Sequence, residues 1–243
     1  MPSAAPHGVD LYYELHGDAG APLVLVHGFT GDITDWRHQI AAFAPTHRLL
    51  VFDNRGHGRS AAPPEAAAYG IELMARDAAA LAAHVGFARY HLVGHSMGGA
   101  IAQEMALHRP ETLLSLTLQD TSFSFRDFRP RLPDGPPLLP PARLEEIAAR
   151  FGRMSPDVLR ACWHALAGWD GTEQRAAHIE TPTLVICGER DAPELVAGAR
   201  RLAELIPRSE LCLIAGAAHS PQEEKAEAFN RALRAFLDRV GDC

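Results

Sequence analysis

The sequence predicts an α/β fold, with a mostly parallel central sheet flanked by helices and a small helical cap inserted before the last two strands. Three observations predict it. Short apolar runs without polar alternation recur along the chain, and alanine-rich stretches with helical spacing lie between them. One long segment contains no convincing strand. Strands that alternate with helices are typical of a sheet covered by helices on both faces.

Six apolar runs predict the strands. They are rich in leucine and β-branched residues, as expected of strands buried on both faces of a parallel sheet. A buried helix could mimic any one of them, but six in alternation with helical stretches favour strands. The runs are Leu23–Val26, Leu49–Phe52, Leu92–Val93, Leu114–Leu118, Thr183–Cys187 and Leu211–Ile214. The intervening helical stretches include Met74–Val85, Ala100–His108 and Leu195–Leu205.

The segment from Phe123 to His178 predicts the cap. It opens with prolines that obstruct both helix and sheet, and a helix over about Leu144–Phe151 follows. A second helix has Ser155 as its N-cap, Pro156 at its first position and Asp157 in its first turn. The prolines are Pro130, Pro133, Pro136, Pro137, Pro140 and Pro141. The predicted domains are a core of residues 1–121 and 179–243 and a cap of residues 122–178.

Composition excludes several classes of protein. The 243 residues carry a formal charge of −7 without a dense Lys/Arg run, which argues against nucleic acid as the main partner. No signal-peptide pattern and no apolar run of membrane-spanning length is present. The four cysteines form no Cys-x-x-Cys pair, and metal-ligand spacings such as His-Glu-x-x-His are missing. We expect a cytoplasmic, globular protein without a metal site.

The strongest chemical signal is a serine in a glycine-rich turn. Gly94-His95-Ser96-Met97-Gly98-Gly99 lies between an apolar run and a helical stretch. In this context Gly-x-Ser-x-Gly predicts a sharp turn that exposes the Ser96 hydroxyl, with glycines relieving backbone crowding. The helix that begins there would direct free amides and its partial positive charge at a developing oxyanion.

The serine needs a base, and the base needs an acid. His219 follows the last apolar run across a turn of small residues, at the sheet edge that carries Ser96. Asp191, in Gly188-Glu189-Arg190-Asp191, and Asp120 both emerge at this edge, so the residues alone leave the acid open. Glu189 is a weaker third choice.

A second oxyanion donor is expected from another loop at this edge. The run Leu23–Val26 is followed by His27-Gly28-Phe29, where Gly28 would let the backbone turn the Phe29 amide into the site. Read in isolation, the same residues could be a simple glycine-rich strand exit.

Together these motifs resemble the α/β-hydrolase superfamily, and the resemblance covers nearly the whole chain. Jointly they are highly specific, whereas any one would be weak. The order serine, aspartate, histidine is also the family's. The motifs are His27–Phe29 (oxyanion loop), Asp53–Ser60 (Asp-x-x-Gly-x-Gly-x-Ser), Gly94–Gly99 (nucleophile elbow), Gly188–Asp191 (acid loop) and Ala218–Pro221 (histidine loop).

The resemblance implies a role for each site residue. Ser96 would be the nucleophile, His219 the general base and acid, and Asp191 the orienting carboxylate. The family usually takes its acid from the loop after the second-to-last strand, which favours Asp191 over Asp120. The amides of Phe29 and Met97 would form the oxyanion hole, and no cofactor would be required.

The predicted activity is two-step acyl transfer on a small carboxylic ester through an acyl-enzyme. Enol-lactonases and carbon–carbon bond hydrolases of ring-cleavage products have similar elbows and caps, so both remain alternatives. An esterase acting on an acyl chain carried by a protein and a non-enzymatic receptor for a small molecule are further possibilities. A monomer or a homodimer is expected.

The cap is predicted to supply an apolar pocket. The residues proposed to line it are Leu159, Trp163, Leu166 and Phe123. The cap is also rich in arginine, with acidic residues interleaved, which favours a solvated mixed surface over a docking site for an acidic carrier. These arginines are Arg126, Arg129, Arg131, Arg143, Arg150, Arg153 and Arg160.

Overall fold

A computed structural model of the chain describes residues 2–126 and 141–241. It contains an eight-stranded sheet with the order β1-β2-β4-β3-β5-β6-β7-β8. β1 and β2 pair antiparallel at one edge, and the other six strands run parallel. The strands are β1 Ser3–Ala4, β2 Leu11–His16, β3 Pro22–Val26, β4 Arg48–Phe52, β5 Tyr90–His95, β6 Leu113–Gln119, β7 Thr183–Gly188 and β8 Ser209–Ile214.

Helices connect and cover the strands. Those labelled here are α1 Arg37–Phe43, α2 Ile71–His84, α3 Met97–His108, α4 Pro141–Arg153, α5 Pro156–Ala167, α6 Pro193–Leu205, α7 Pro221–Glu224 and α8 Ala226–Val240. All six apolar runs lie in strands, and the predicted α/β class is confirmed. In the described part of the chain, no helix is long and apolar enough to cross a bilayer.

The sheet separates two hydrophobic cores, because successive side chains of a strand point to opposite faces. In β3, Val24 lies in the core that also contains α2, α3 and α6, whereas Leu23 and Leu25 lie in the core built with α1 and α8. Both faces of the central strands are therefore buried, which is why their sequences do not alternate.

The cap helices α4 and α5 lie between β6 and β7, ahead of the last two strands. As predicted, α5 begins after Ser155, whose side chain accepts from the Val158 amide, with Pro156 at its start. The helix predicted over Leu144–Phe151 is the longer α4. The proline-rich run before it, except Pro141, lies outside the described residues, as do Arg129 and Arg131. The division into core and cap at the stated boundaries remains a prediction.

Two cap arginines correct the expectation of a solvated mixed surface. Arg143 and Arg150 on α4 are both buried. Arg150 donates to Asp35 Oδ1 at 2.5 Å, and Arg143 donates to the same oxygen at 2.7 Å and to Glu223 Oε2 at 2.9 Å. These arginines are buried because each finds carboxylates on the core, so they join the cap to the core rather than face solvent.

Candidate active site

Ser96 lies in the sharp turn between β5 and α3. Its backbone adopts φ 53° and ψ −114°, a conformation that non-glycine residues rarely occupy and that costs about 1–3 kcal/mol. Two hydrogen bonds hold the turn, from the Ser96 amide to Gln119 O at 2.9 Å and from Thr121 Oγ1 to Ser96 O at 2.8 Å. The strain is thus maintained by the neighbouring strand, and it places the hydroxyl at the carboxyl edge of the sheet.

The glycine before this turn is required by close packing between strand and helix. A Cβ atom on Gly94 would lie 2.2 Å from the carbonyl oxygen of Gly98. Helix α3 can therefore approach β5 and begin at Met97 only because position 94 has no side chain.

His219 joins Ser96 to Asp191. The Ser96 hydroxyl lies 3.1 Å from His219 Nε2, and His219 Nδ1 lies 2.9 Å from Asp191 Oδ2. Burial opposes ionisation of both groups, but their mutual attraction and hydrogen bond outweigh it, so the pKa of His219 is raised and that of Asp191 is lowered. Nδ1–H then donates to an ionised Asp191, and Nε2 can accept the serine proton.

Asp120, the competing acid, occupies a different position. It is fully buried, and its Oδ1 accepts from the Gly188 amide at 2.8 Å at the start of the acid loop. The hydrogen bond to His219 comes from Asp191 instead. With Cys187 these two aspartates form the one cluster of possible metal-ligating side chains among the residues described.

Two residues that sequence reasoning did not select hold the histidine loop. Glu224 accepts from the Ala218 amide at 2.7 Å and from the Ser220 amide at 2.9 Å, on either side of His219. His95 Nε2 donates to the carbonyl of His219 at 2.8 Å. Glu224 could have been found from the sequence, because an acidic residue just after Ser220-Pro221 can bind the free amides of a helix start. No local signal marks the His95 contact.

The oxyanion loop packs directly against the nucleophile. A Cβ on Gly28 would lie 3.1 Å from both Ser96 Cβ and His95 Nδ1. Among the described residues, neither the Phe29 amide nor the Met97 amide donates to a protein acceptor. Both amides are thus available as donors, as the prediction of an oxyanion hole requires.

The Asp53 motif makes hydrogen bonds to the oxyanion loop and to the residues that follow it. The Asp53 carboxylate accepts from the Ile33 amide at 2.8 Å and from the Arg59 amide at 2.8 Å. The buried His27 accepts from the Asn54 amide at 2.9 Å through Nε2 and donates from Nδ1 to Gly28 O at 2.8 Å. Asn54 therefore joins this motif to the oxyanion loop at His27, whereas Asp53 holds the chain that follows the loop at Ile33.

The cap reaches the site through α5. The Trp163 ring lies 5.9 Å from the Phe29 ring, so the cap lies over the oxyanion loop. Leu166 is buried in the core cluster, whereas Leu159 and Phe123 are only partly buried. Of the four residues proposed to line the pocket, Trp163 is the one whose contact with the oxyanion loop is defined.

Two further histidines near these loops are neutral. Burial lowers the pKa of His57 to about 3 and that of His95 to about 4, and the neighbouring His27 and His219, respectively, add to the effect. The His57 ring packs at 6.3 Å against Phe29. At neutral pH, His57 and His95 therefore add no positive charge to these loops.

Comparison with known proteins defines the family. Residues 21–160 match the alpha/beta hydrolase fold family. A carbamate hydrolase named RutD from Azorhizobium caulinodans is 33% identical, with 99% of each chain covered. The structure of Est816, an N-acyl homoserine lactone degrading enzyme, superposes with a TM-score of 0.88 at 28% identity, covering 97% of this chain and 100% of that one. The enol-lactonase from Burkholderia xenovorans LB400 has a TM-score of 0.88 at 26% identity, with 98% and 100% covered.

The chain belongs to the α/β-hydrolase family, and it is a hydrolase. This agrees with the resemblance drawn from its motifs.

Proposed function

We propose that the protein is a serine hydrolase that cleaves a small, neutral carboxylic ester through an acyl-enzyme. One observation carries the proposal: His219 contacts Ser96 Oγ with one ring nitrogen and the Asp191 carboxylate with the other. A serine, a base and an acid in this series have the geometry of nucleophilic acyl transfer.

The proposed mechanism accounts for each proton. His219 Nε2 takes the proton of Ser96 as Oγ attacks the ester carbonyl, and the amides of Phe29 and Met97 stabilise the oxyanion. The imidazolium, paired with Asp191, then protonates the leaving alcohol, and the acyl group stays on Oγ. Water, deprotonated by His219, hydrolyses the acyl-enzyme and releases the acid.

The charges around the serine support a neutral substrate. His57 and His95 are neutral. The Phe29 ring of the oxyanion loop contacts the rings of His57 and Trp163. Of the described cap arginines, Arg143 and Arg150 are engaged with carboxylates of the core. A neutral ester would need no unpaired cation beside its reacting carbonyl.

Lactones are a second candidate substrate class. Two solved structures similar over nearly the whole chain are described as an N-acyl homoserine lactone degrading enzyme and an enol-lactonase. A lactone is a cyclic ester, so the same acylation of Ser96 and hydrolysis of the acyl-enzyme apply, except that the leaving alcohol stays tethered to the acyl group.

The first test is hydrolysis of p-nitrophenyl esters from acetyl to dodecanoyl. We expect turnover that peaks at one chain length, and a loss of at least about a thousandfold in kcat for Ser96→Ala. Ser209→Ala is the control. Ser209 is the first residue of β8 and lies at the amino ends of the parallel strands, away from the carboxyl ends that carry Ser96, so its substitution should leave kcat unchanged. A fluorophosphonate probe should label Ser96 alone, as read by peptide mass spectrometry.

Simple lactones and carbamates would be assayed with the same variants. Faster turnover of lactones than of open-chain esters would select the second candidate. A folded protein that neither turns over any of these compounds nor reacts with the fluorophosphonate would contradict the serine mechanism.

A further inference from the structure

Asp120 is a buried carboxyl group to which the mechanism assigns no role. It follows β6, has no exposed surface and adopts a positive φ of 44°. β6 pairs with β7 in parallel, so Asp120 lies beside Gly188, where the acid loop begins. A non-glycine residue in this conformation is uncommon and indicates a local constraint.

The hydrogen bonds of Asp120 are incomplete if it is ionised. Oδ1 accepts from the Gly188 amide at 2.8 Å, but no described group donates to Oδ2, which is buried. Asp191 and the Cys187 thiol are its polar neighbours, and one polar atom from each of the three side chains lies within 4.8 Å of the others. A buried carboxylate oxygen without a donor, beside a second carboxylate, is strongly unfavourable.

The two carboxyl groups are held in different protonation states. Burial and the charge of Asp191 raise the pKa of Asp120 well above its usual range. Asp191 is also buried, but His219 and the Ala192 amide, 2.7 Å from Asp191 Oδ1, stabilise its charge and lower its pKa. Two adjacent carboxyl groups that share one negative charge are a known solution to this repulsion.

We propose that Asp120 is a positioning residue that, as a neutral carboxylic acid, donates a hydrogen bond from Oδ2 to the Asp191 carboxylate. The series Ser96–His219–Asp191 thereby gains a fourth member. Asp120 would then make two hydrogen bonds to the acid loop: Oδ1 accepts from the Gly188 amide, and Oδ2 donates to the Asp191 side chain. Its part in catalysis rests on the proposed function, whereas its protonation does not.

The other groups around the pair are compatible with this assignment. The Cys187 thiol stays neutral because burial and the nearby carboxyl groups raise its pKa, and Arg200 of α6 is the cation whose charge reaches this thiol. Asp191 uses both oxygens in hydrogen bonds to His219 and Ala192. The Cys187 thiol donates to Gly188 O at 3.5 Å, so among the described residues Asp120 Oδ2 is the one atom of the cluster without a hydrogen-bond partner, too few for a metal site.

The protonation is tested without an activity assay. The infrared difference spectrum between wild type and Asp120→Asn at pH 7 should contain the C=O stretch of one protonated carboxylic acid. The titration of His219, followed by NMR, should be unchanged in Asp120→Asn, because a neutral group replaces a neutral group. If Asp120 were ionised, the stretch would be missing and the pKa of His219 would fall by about one unit in the variant.

The positioning role is tested by kinetics on the substrate found above. Asp120→Asn retains a donor toward Asp191 and should keep kcat/KM within about threefold, with the acid limb of its pH profile unmoved. Asp120→Leu removes the donor and should lose about tenfold or more. Asp191→Asn is the positive control and should lose about ten-thousandfold in kcat.

Two results would overturn the proposal. One is an Asp120→Asn variant that lacks the infrared difference or shifts the His219 titration. The other is a folded Asp120→Leu variant with wild-type kcat/KM. If Asp120→Leu does not fold, the infrared and NMR results on Asp120→Asn decide. If the protein hydrolyses no ester, these two measurements still apply, so failure of the proposed function is distinguishable from failure of this inference.

Discussion

At the scale of single residues, backbone strain is concentrated where the chemistry is proposed. Among the described residues, three non-glycine residues have a positive φ: Thr30 at 61°, Ser96 at 53° and Asp120 at 44°. They follow β3, β5 and β6, which are neighbours in the centre of the sheet. Each such conformation costs about 1–3 kcal/mol, so the fold maintains this strain at one edge.

The raised pKa of His219 predicts the acid limb of the pH profile. His219 must be neutral to accept the Ser96 proton, so kcat/KM should fall as the pH decreases through its pKa, which lies above 6.5. Asp191 is the main group that raises this pKa, and the charge of Glu224 adds a smaller contribution. In Asp191→Asn the limb should therefore move to lower pH, together with the loss in kcat. Measurement of kcat/KM from pH 5 to 9 checks both effects.

A matched control separates this effect from general damage to the loop. Glu189→Gln also removes a carboxylate from the acid loop, but Glu189 accepts from the Gly216 amide and does not contact His219. Its acid limb should match that of wild type. An Asp191→Asn limb that does not move would show that Asp191 is not the partner of His219 in solution.

At the scale of elements, buried ion pairs join helix α4 to the segments that follow both loops of the proposed site. Arg150 contacts Asp32 and Asp35, which follow the oxyanion loop, and Arg143 contacts Glu223, which follows His219. Removal of one member of a buried pair leaves an uncompensated charge. The position of the cap is therefore coupled to the loops that hold the proposed oxyanion hole and base.

Arg150→Met is predicted to loosen the cap, whereas Arg153→Met is not. Both arginines lie on α4 and face Asp32 Oδ2, at 3.2 Å for Arg150 Nε and 4.0 Å for Arg153 Nη2. The Arg150 side chain is 5% exposed and that of Arg153 is 65% exposed. We expect a loss of about 3 kcal/mol for Arg150→Met and less than about 0.5 kcal/mol for Arg153→Met. Urea unfolding and hydrogen exchange of α4 measure the difference, and equal effects would contradict it.

The sequence predicts some elements better than others, for physical reasons. Strands β3 to β7 are buried on both faces and their sequences are continuous apolar runs, so the sequence predicts them; β8, at the sheet edge, is only partly buried but retains the run Leu211–Ile214. β2, with the sequence Leu-Tyr-Tyr-Glu-Leu-His, is partly exposed near the sheet edge and has no such run. Helices α1 and α8 are given no bounds by the sequence analysis, and both are amphipathic. In α8, Phe229, Leu233, Phe236 and Leu237 form the buried face.

At the scale of the whole molecule, site residues were predictable where a motif fixes a local turn. Ser96 and His219 lie at the ends of parallel strands, so topology alone brings them to one edge. The choice between Asp120 and Asp191 was not predictable from the residues, because both follow neighbouring strands. It depends on how far each side chain reaches across the loops. The burial of Arg150 was likewise unpredictable, since its partners are more than 100 positions away in the sequence.

Global stability is predicted to fall on acidification, partly through His57. Its pKa is lowered to about 3 because the ring is buried, whereas in the unfolded chain it is about 6.5. Below pH 6.5 the unfolded state therefore binds a proton that the folded state does not, and the free energy of unfolding decreases until the pH approaches 3. The contribution is about 1.4 kcal/mol for each pH unit within this window.

The contribution of His57 is isolated by comparing urea unfolding of wild type and His57→Gln from pH 7.5 to 4.5. The Gln variant should start less stable at neutral pH, because it loses the contacts of the ring, but its stability should decline less steeply. His164→Gln, at an exposed position of α5, is the control and should follow the wild-type slope. Parallel slopes for wild type and His57→Gln would show that His57 is not kept neutral by the fold.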